Sequence, residues 1–243
     1  MIHLEVHGAR IPALGFGTFQ LPASTATYMV EAALEMGYRH IDTAQIYDTE
    51  LNVGWGLRRS TVAREDYFVT TKVWVDPINS RRIAASVEDS LRNLQTEYVD
   101  LLLLHWPTPA IPISESLAAI AELQRSGKTR HIGISNYNCQ QIEDACAASE
   151  LPLLTNQVEY HAYLNQQKVL QTLRKHKMSL TAYSPLAQGR LLKDSTLVNI
   201  AEAHSKTPSQ VALRWLIQQG DVIAIPRSSN VQPVSYTHLR AHE

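Results

Sequence analysis

Four polar side chains of complementary chemistry follow one another in the first half of the sequence. An acid and a phenol, Asp42 and Tyr47, share residues 37–50, and a lysine and a histidine, Lys72 and His105, lie in two later apolar runs. An ammonium beside a phenol favours the phenolate and lowers the phenol pKa from about 10. An imidazole can hydrogen-bond an oxygen on which charge develops. Proton transfer to a substrate oxygen is the chemistry that these groups could perform.

The elements that must position these groups alternate along the chain. Short β-branched or apolar runs are followed by longer amphipathic segments, which is typical of βαβ units and a parallel sheet. Strands are predicted at 14–16, 38–41, 67–73, 99–104, 131–134, 154–159, 180–183 and 222–225. Helices are predicted at 26–36, 80–94, 113–125, 142–148, 169–176, 196–204 and 208–219. This order predicts an α/β fold, a (β/α)8 TIM barrel, with an N-terminal β-hairpin at residues 4–11.

Active sites of such barrels gather at the C-terminal ends of the strands. Asp42, Lys72 and His105 each follow or end a predicted strand, and Tyr47 lies on the loop after Asp42, so we expect all four at one mouth. Asp100 falls at the opposite end of its strand and is interpreted as structural. Each residue alone has a plainer interpretation: a half-buried aromatic for Tyr47, a core histidine for His105, and an architectural ion pair for Lys72 and Asp42, since a buried unpaired charge is very costly.

Together these four residues resemble the catalytic tetrad of the aldo-keto reductases. Thr-Ala after Asp42 and Trp-Pro after His105 strengthen the resemblance, which extends over about residues 8–230. It implies carbonyl reduction with Tyr47 as general acid, Lys72 and Asp42 tuning it, and His105 orienting the carbonyl. The order of motifs is most similar to the prokaryotic branch of 2,5-diketo-D-gluconate and methylglyoxal reductases, so the implied substrates are small aldehydes and diketones.

The nicotinamide cofactor that this resemblance implies must be bound without a Rossmann fingerprint. Gly15-Phe-Gly17 and Gly54-Trp-Gly56 both lack the third glycine of that motif. The resemblance implies NADPH rather than NADH, with Arg227 offering its guanidinium fork to the adenosine 2′-phosphate. The implied cofactor-binding residues are Gly17, Thr18, Asp42, Ser135, Asn136, Gln157, Tyr183, Ser184, Leu186, Gln188, Arg227 and Ser228.

Three aromatic residues predict the substrate pocket. Phe19, Trp74 and Trp106 are placed to form an apolar, flat-walled pocket beside Tyr47 and His105. A role as ordinary core aromatics is the alternative for each of them.

Composition and charge limit the classes of protein that this sequence could belong to. The chain has 243 residues with 44% hydrophobic and 19% charged residues, which fits one globular domain at 1–233. A net charge of −1 from 22 basic and 23 acidic residues predicts no nucleic-acid or membrane surface. Two cysteines, Cys139 and Cys146, predict reduced thiols and no metal site. The absence of a secretory signal pattern predicts a cytoplasmic protein, and the family resemblance implies a monomer.

The last residues do not fit the pattern that precedes them. Residues 234–243 match one reading frame of a transposase-adapter DNA used in sequencing libraries, and we therefore expect a non-native tail. On this interpretation the natural chain continues past Pro233, and the barrel lacks its final helix and the C-terminal loops.

Two other functions remain open at this stage. Lys72 in a barrel strand could form a Schiff base, as in a lyase or an aldolase. A protein of this fold could also bind NADPH as a redox sensor with little turnover. Trapping of substrate on Lys72 would favour the first, and tight cofactor binding without aldehyde reduction would favour the second.

Overall fold

The chain forms an eight-stranded parallel barrel preceded by a hairpin. The computed structural model describes residues 1–74 and 82–229. Its strands are β1 (His3–Val6), β2 (Ala9–Pro12), β3 (Phe16–Gly17), β4 (His40–Asp42), β5 (Phe68–Val73), β6 (Val99–Leu104), β7 (Thr129–Ser135), β8 (Leu153–Glu159), β9 (Ser179–Tyr183) and β10 (Val222–Ala224). Its helices are α1 (Ala23–Glu35), α2 (Glu50–Arg59), α3 (Ile83–Leu94), α4 (Ile113–Arg125), α5 (Cys139–Ala148), α6 (Gln167–Lys175), α7 (Ser195–Ala203) and α8 (Pro208–Ile217).

Strands β3 to β10 lie side by side in sequence order, each parallel to the next. The sheet closes on itself, since the Gly15 N–H donates to the Ala224 carbonyl at 2.8 Å and the Ala224 N–H donates to the Ala13 carbonyl at 2.9 Å. The predicted (β/α)8 barrel is therefore confirmed. Every residue of β5 and β6 is buried, as expected of parallel strands covered on both faces.

The N-terminal hairpin is also confirmed. β1 and β2 pair antiparallel from His3 opposite Pro12 to Val6 opposite Ala9. The two turn residues, His7 and Gly8, have φ values of 46° and 81°. Positive φ at both positions is the requirement of the tight hairpin turns that match strand twist, and glycine meets it at no steric cost.

Helix α2 was not predicted, and that omission was wrong. Its sequence contains Gly54 and Gly56. Each glycine inside a helix lowers the stability of the helix by about 1 kcal/mol relative to alanine, so helix propensity does not predict a helix here. Packing explains both glycines. A Cβ at Gly54 would lie 2.2 Å from the Asn93 carbonyl oxygen of α3, and one at Gly56 would lie 2.6 Å from the Thr27 carbonyl oxygen of α1. The two glycines therefore allow the backbone of α2 to pack closely against α1 and α3.

The other predicted elements are found with small shifts of their ends. Helix α5 begins three residues earlier than predicted because Asn138 and Gln141 form a capping box. The cluster around Asp100 lies at the N-terminal end of β6, as expected, where its carboxylate accepts from Arg64 at 2.8 Å and from Arg130 at 3.1 Å. Residues 80 and 81 of one predicted helix, and the predicted non-native tail at 234–243, lie outside the described residues. In the described ranges no helix is both long and apolar enough to cross a membrane.

Candidate active site

A buried ion pair joins the ends of β4 and β5. The Lys72 Nζ donates to Asp42 Oδ1 at 2.6 Å and to the Thr43 carbonyl oxygen at 2.7 Å, and the Lys72 side chain is fully buried. Burial by itself would lower the pKa of Lys72, but the negative charge of Asp42 and the nearby Tyr47 outweigh it and raise that pKa. The lysine is therefore held as an ammonium inside the barrel.

The phenol of Tyr47 is the group next to this ammonium. Tyr47 closes a short 3-10 turn, Gln45–Tyr47, directly after β4, and its Oη lies 3.4 Å from Lys72 Nζ. Burial raises the pKa of Tyr47, and the Lys72 charge opposes this without cancelling it. The sequence argument expected the ammonium to lower this pKa; its influence has the expected sign, but desolvation is larger. Tyr47 thus carries its proton at neutral pH.

The imidazole of His105 faces the same phenol. Its ring centroid lies 5.9 Å from that of Tyr47 and 5.7 Å from that of Trp74, both in edge-to-face arrangements. Burial, together with the Lys72 charge, lowers the pKa of His105 to about 3. Its Nδ1 is buried and has no hydrogen-bond partner among the described residues. A neutral imidazole keeps one N–H donor and one acceptor nitrogen available.

Hydrogen bonds from amide and hydroxyl side chains connect the tetrad to β7, β8 and β9. The Gln157 Nε2 donates to Asp42 Oδ2 at 2.7 Å, so both oxygens of Asp42 are engaged. The Ser135 hydroxyl donates to the Gln157 carbonyl at 2.9 Å. The Asn136 amide donates to the His105 carbonyl at 3.0 Å and accepts from the Tyr183 hydroxyl at 3.0 Å. One hydrogen-bonded network therefore extends around the mouth from β4 to β9.

These groups line one cavity of about 740 Å³ at the C-terminal ends of the strands. All but two of the predicted site residues contribute to its wall. Lys72 and Thr18 are the exceptions: both are fully buried behind it, and the Thr18 hydroxyl donates to the Asp42 carbonyl at 3.0 Å. Phe19, Trp74 and Trp106 are 53%, 37% and 47% exposed, so they are walls of the cavity and not core aromatics.

The segment after β9 forms one side of the cavity through an unusual backbone. Ser184, Ala187, Gln188 and Gly189 all have positive φ, between 46° and 88°. This left-handed geometry turns the chain sharply across the mouth, and the Ser184, Leu186 and Gln188 that the sequence singled out lie along it. On the opposite side Arg227 is exposed and forms no ion pair within the part of the chain that the structure describes.

Sequence reasoning missed several residues of this wall. Ile46 and Leu192 add apolar surface, and Glu159 adds a carboxylate that accepts from His161 at 3.2 Å. Strand alternation could have found Glu159, because it follows Gln157 by two positions on β8 and so faces the same side. Leu192 belongs to the irregular segment after β9, where no period exists to predict its direction. The described residues contain no cluster of potential metal ligands.

Known proteins are similar to this chain in sequence and in fold. Residues 13–237 match the sequence pattern of the Aldo/keto reductase family. The chain is 41% identical over 222 residues to methylglyoxal reductase DkgB of Salmonella typhimurium, covering 90% of this chain and 83% of that protein. It is 40% identical over 223 residues to glyoxal reductase of Bacillus subtilis, covering 91% and 80%.

Solved structures agree with the sequence comparison. A crystal structure assigned as a 2,5-diketo-D-gluconic acid reductase B superposes with a TM-score of 0.97 at 47% identity, covering 100% of this chain and 87% of that one. The aldose reductase of Schistosoma japonicum superposes with a TM-score of 0.92 at 30% identity, covering 98% and 86%. The chain therefore belongs to the aldo/keto reductase family and is an oxidoreductase that reduces carbonyl groups with a nicotinamide cofactor.

Proposed function

We propose that this protein reduces small aldehydes and ketones, dicarbonyls among them, to alcohols with NADPH, and that Tyr47 is the proton donor. The observation that carries the proposal is the position of the Tyr47 phenol. It lies 3.4 Å from a fully buried ammonium, at the wall of a cavity, with a neutral imidazole beside it.

The electrostatics around Tyr47 suit a proton donor. Burial keeps the phenol protonated before reaction, and the Lys72 ammonium stabilises the phenolate that remains once the proton has left. Asp42 holds Lys72 in the charged form and in place. Burial thus favours the protonated form of Tyr47 before the reaction, and the Lys72 charge favours the deprotonated form after it. A general acid that works in both directions of a reaction needs both effects.

His105 is proposed to orient the substrate carbonyl. Because its pKa is lowered to about 3, it stays neutral at physiological pH. A neutral imidazole can donate one hydrogen bond to the carbonyl oxygen without competing with Tyr47 as a source of the proton. The edge-to-face contacts of His105 with Tyr47 and Trp74 fix the ring plane.

The donor set around the cavity fits a nicotinamide cofactor. Ser135, Asn136 and Gln157 present hydroxyl and amide groups that match a carboxamide, and the Tyr183 ring offers a flat stacking surface. The exposed Arg227 guanidinium, with Ser228 beside it, suits a phosphate and supports NADPH over NADH. When bound, the cofactor supplies the hydride. Gly17 at the end of β3, and Ser184, Leu186 and Gln188 after β9, are the remaining residues proposed to contact it, while Thr18 supports Asp42 from behind the cavity wall.

Substrate class follows from the walls and the relatives. Phe19, Trp74, Trp106, Ile46 and Leu192 give the cavity an apolar rim around the polar tetrad. The relatives named for methylglyoxal and glyoxal support small dicarbonyls as substrates here.

The Schiff-base alternative fits this geometry less well. A nucleophilic lysine must be uncharged and accessible, whereas Lys72 is fully buried, ion-paired, and has a raised pKa. No feature of the described residues favours a cofactor-binding sensor over an enzyme. A measurement of turnover distinguishes the sensor from the enzyme.

The test is reduction of methylglyoxal and propanal by the purified protein with NADPH, followed by identification of the product. We expect one alcohol per NADPH oxidised and a lower kcat/KM with NADH. Tight NADPH binding without alcohol formation would instead support the sensor. Substrate trapped on Lys72 by borohydride, with no NADPH oxidised, would support the Schiff-base chemistry.

A further inference from the structure

The turn that carries Tyr47 is anchored on its N-terminal side by Gln45. The Gln45 Oε1 accepts from the Trp74 backbone N–H at 3.2 Å, just past the end of β5. The Gln45 Nε2 donates to the Ser90 hydroxyl at 3.0 Å and to the Ser86 carbonyl at 3.0 Å, both on α3. One side of the turn is thus tied to the strand that contains Lys72 and to the helix outside it.

Glu50 anchors the C-terminal side of the same turn. Glu50 is only 5% exposed, and its carboxylate accepts from the Thr71 hydroxyl at 2.6 Å. Ser90 and Asn93 on α3 also lie close enough to favour the charged form of this carboxylate. Ser90 therefore hydrogen-bonds to Gln45 and lies beside Glu50. We call Gln45, Glu50, Thr71 and Ser90 the Tyr47 clamp.

Strand geometry links this clamp to the tetrad. Thr71 and Lys72 are neighbours on β5, so their side chains point to opposite faces of the barrel wall. Thr71 meets Glu50 outside the wall, and Lys72 meets Asp42 and Tyr47 inside it. Glu50, the first residue of α2, follows Tyr47 by three residues. A movement of Glu50 relative to Thr71 would therefore change the distance between the Tyr47 phenol and the Lys72 ammonium.

The composition of the clamp is costly for a purely structural contact. A buried carboxylate is strongly disfavoured unless it is well paired. Here its observed hydrogen-bond donor is the neutral Thr71 hydroxyl, the neutral Ser90 and Asn93 lie nearby, and the charge that acts on it is Lys72 on the other side of the wall. Desolvation raises the pKa of Glu50, in agreement with this environment. An apolar residue would fill the same space without that cost but could not fix the position of the turn through directional bonds.

We propose that Glu50 is a positioning residue for the reaction: through its hydrogen bond to Thr71, and together with the Gln45 bonds on the other side of the turn, it holds the Tyr47 phenol at hydrogen-bonding distance from Lys72. Its importance for catalysis rests on the proposed function, in which Tyr47 donates the proton. The positioning itself can be measured without any turnover.

The test uses Thr71→Val, which keeps the shape of the side chain and removes its hydroxyl, and Glu50→Gln. Thr129→Val is the matched control, because Thr129 is a buried strand threonine at the other end of the barrel, where its hydroxyl donates to the His131 carbonyl at 2.7 Å. Each protein is labelled with carbon-13 at the oxygen-bearing ring carbon of tyrosine. The Tyr47 signal is assigned by its loss in Tyr47→Phe. The pKa of Tyr47 is then obtained from the chemical shift of this signal as a function of pH.

In Thr71→Val we expect the Tyr47 pKa to rise, because the ammonium that favours the phenolate is farther away. We also expect kcat to fall by about 10-fold or more, since small misplacements of a catalytic group are costly, with KM for the aldehyde little changed. Glu50→Gln should likewise raise the Tyr47 pKa and lower kcat. Thr71→Ser, which restores the hydroxyl, should recover both, and Thr129→Val should change neither.

An unchanged Tyr47 pKa and an unchanged kcat in Thr71→Val would overturn the proposal. So would equal effects of Thr71→Val and Thr71→Ser, because these would indicate loss of packing and not of the hydrogen bond. If the Tyr47 pKa shifts as expected while Tyr47→Phe retains turnover, the clamp stands and the proposed role of Tyr47 fails.

Discussion

At the scale of single residues, the site depends on Lys72 remaining charged without contact with water. A fully buried ammonium is tolerated because Asp42 Oδ1, the Thr43 carbonyl and the Tyr47 hydroxyl surround it. Asp42 is in turn held by Gln157, a bond that links β4 to β8 across the barrel. The types and order of the tetrad residues could be predicted from sequence. The Gln157 bond could not, because nothing local to either residue specifies a contact between strands so far apart in the chain.

His105 gives the first prediction at this scale, a dependence of stability on pH. Its pKa is about 3 in the folded protein and near 6.5 when unfolded, so between these values only the unfolded chain binds the proton. The contribution of His105 to stability is thus fully present above pH 6.5 and is lost as the pH falls toward 3. The loss is at most about 1.4 kcal/mol per pH unit within that window.

Urea unfolding at pH 7 and pH 5 measures this effect. We expect His105→Gln to lose less stability than the wild type on acidification. His204→Gln, at an exposed histidine after α7, should behave as the wild type does. An equal acid loss in His105→Gln and the wild type would contradict the inferred state of His105. Other groups with lowered pKa values, among them the buried His40 and the half-buried His131, contribute to the acid sensitivity that remains in the variant.

At the scale of elements, α2 determines whether the Tyr47 clamp can form, because Glu50 is its first residue. Its two glycines allow α1 and α3 to approach it closely. Sequence patterns predicted the helices whose apolar face repeats regularly, and they missed α2, whose place is set by contact between backbones. That kind of contact leaves glycines in the sequence, which local propensity interprets as a reason against a helix.

We therefore predict that Gly54→Ala destabilises the protein although alanine is the better helix former. The propensity gain is about 1 kcal/mol, but the added Cβ would lie 2.2 Å from the Asn93 carbonyl oxygen, and backbone there must shift. We expect a net loss of roughly 1–3 kcal/mol, typical of overpacking. Chemical denaturation is the measurement, with Arg58→Ala on the exposed face of α2 as the control. A stabilised Gly54→Ala would show that α2 does not pack closely enough against α3 to exclude a methyl group.

At the scale of the whole molecule, the barrel brings together side chains from β3, β4, β5, β6, β7, β8 and β9 that are far apart in sequence. The alternation of strands and helices was enough to predict this, because parallel strands in one barrel place all their C-terminal ends at one mouth. The position of most proposed cofactor and substrate residues on the cavity wall follows from that topology. The wall formed by the segment after β9 does not follow from it, since a run of positive φ values has no periodic pattern in the sequence.

The measurement that tests the central claim most directly is turnover of methylglyoxal with NADPH by Tyr47→Phe, with cofactor binding followed by fluorescence in the same samples. Phenylalanine keeps the ring and removes the proton that the mechanism needs. We predict a loss of kcat of at least about 100-fold with little change in the cofactor Kd, while Tyr28→Phe, at an exposed tyrosine of α1, retains wild-type rates. Wild-type turnover by Tyr47→Phe would contradict the account, because another group would then be the proton donor.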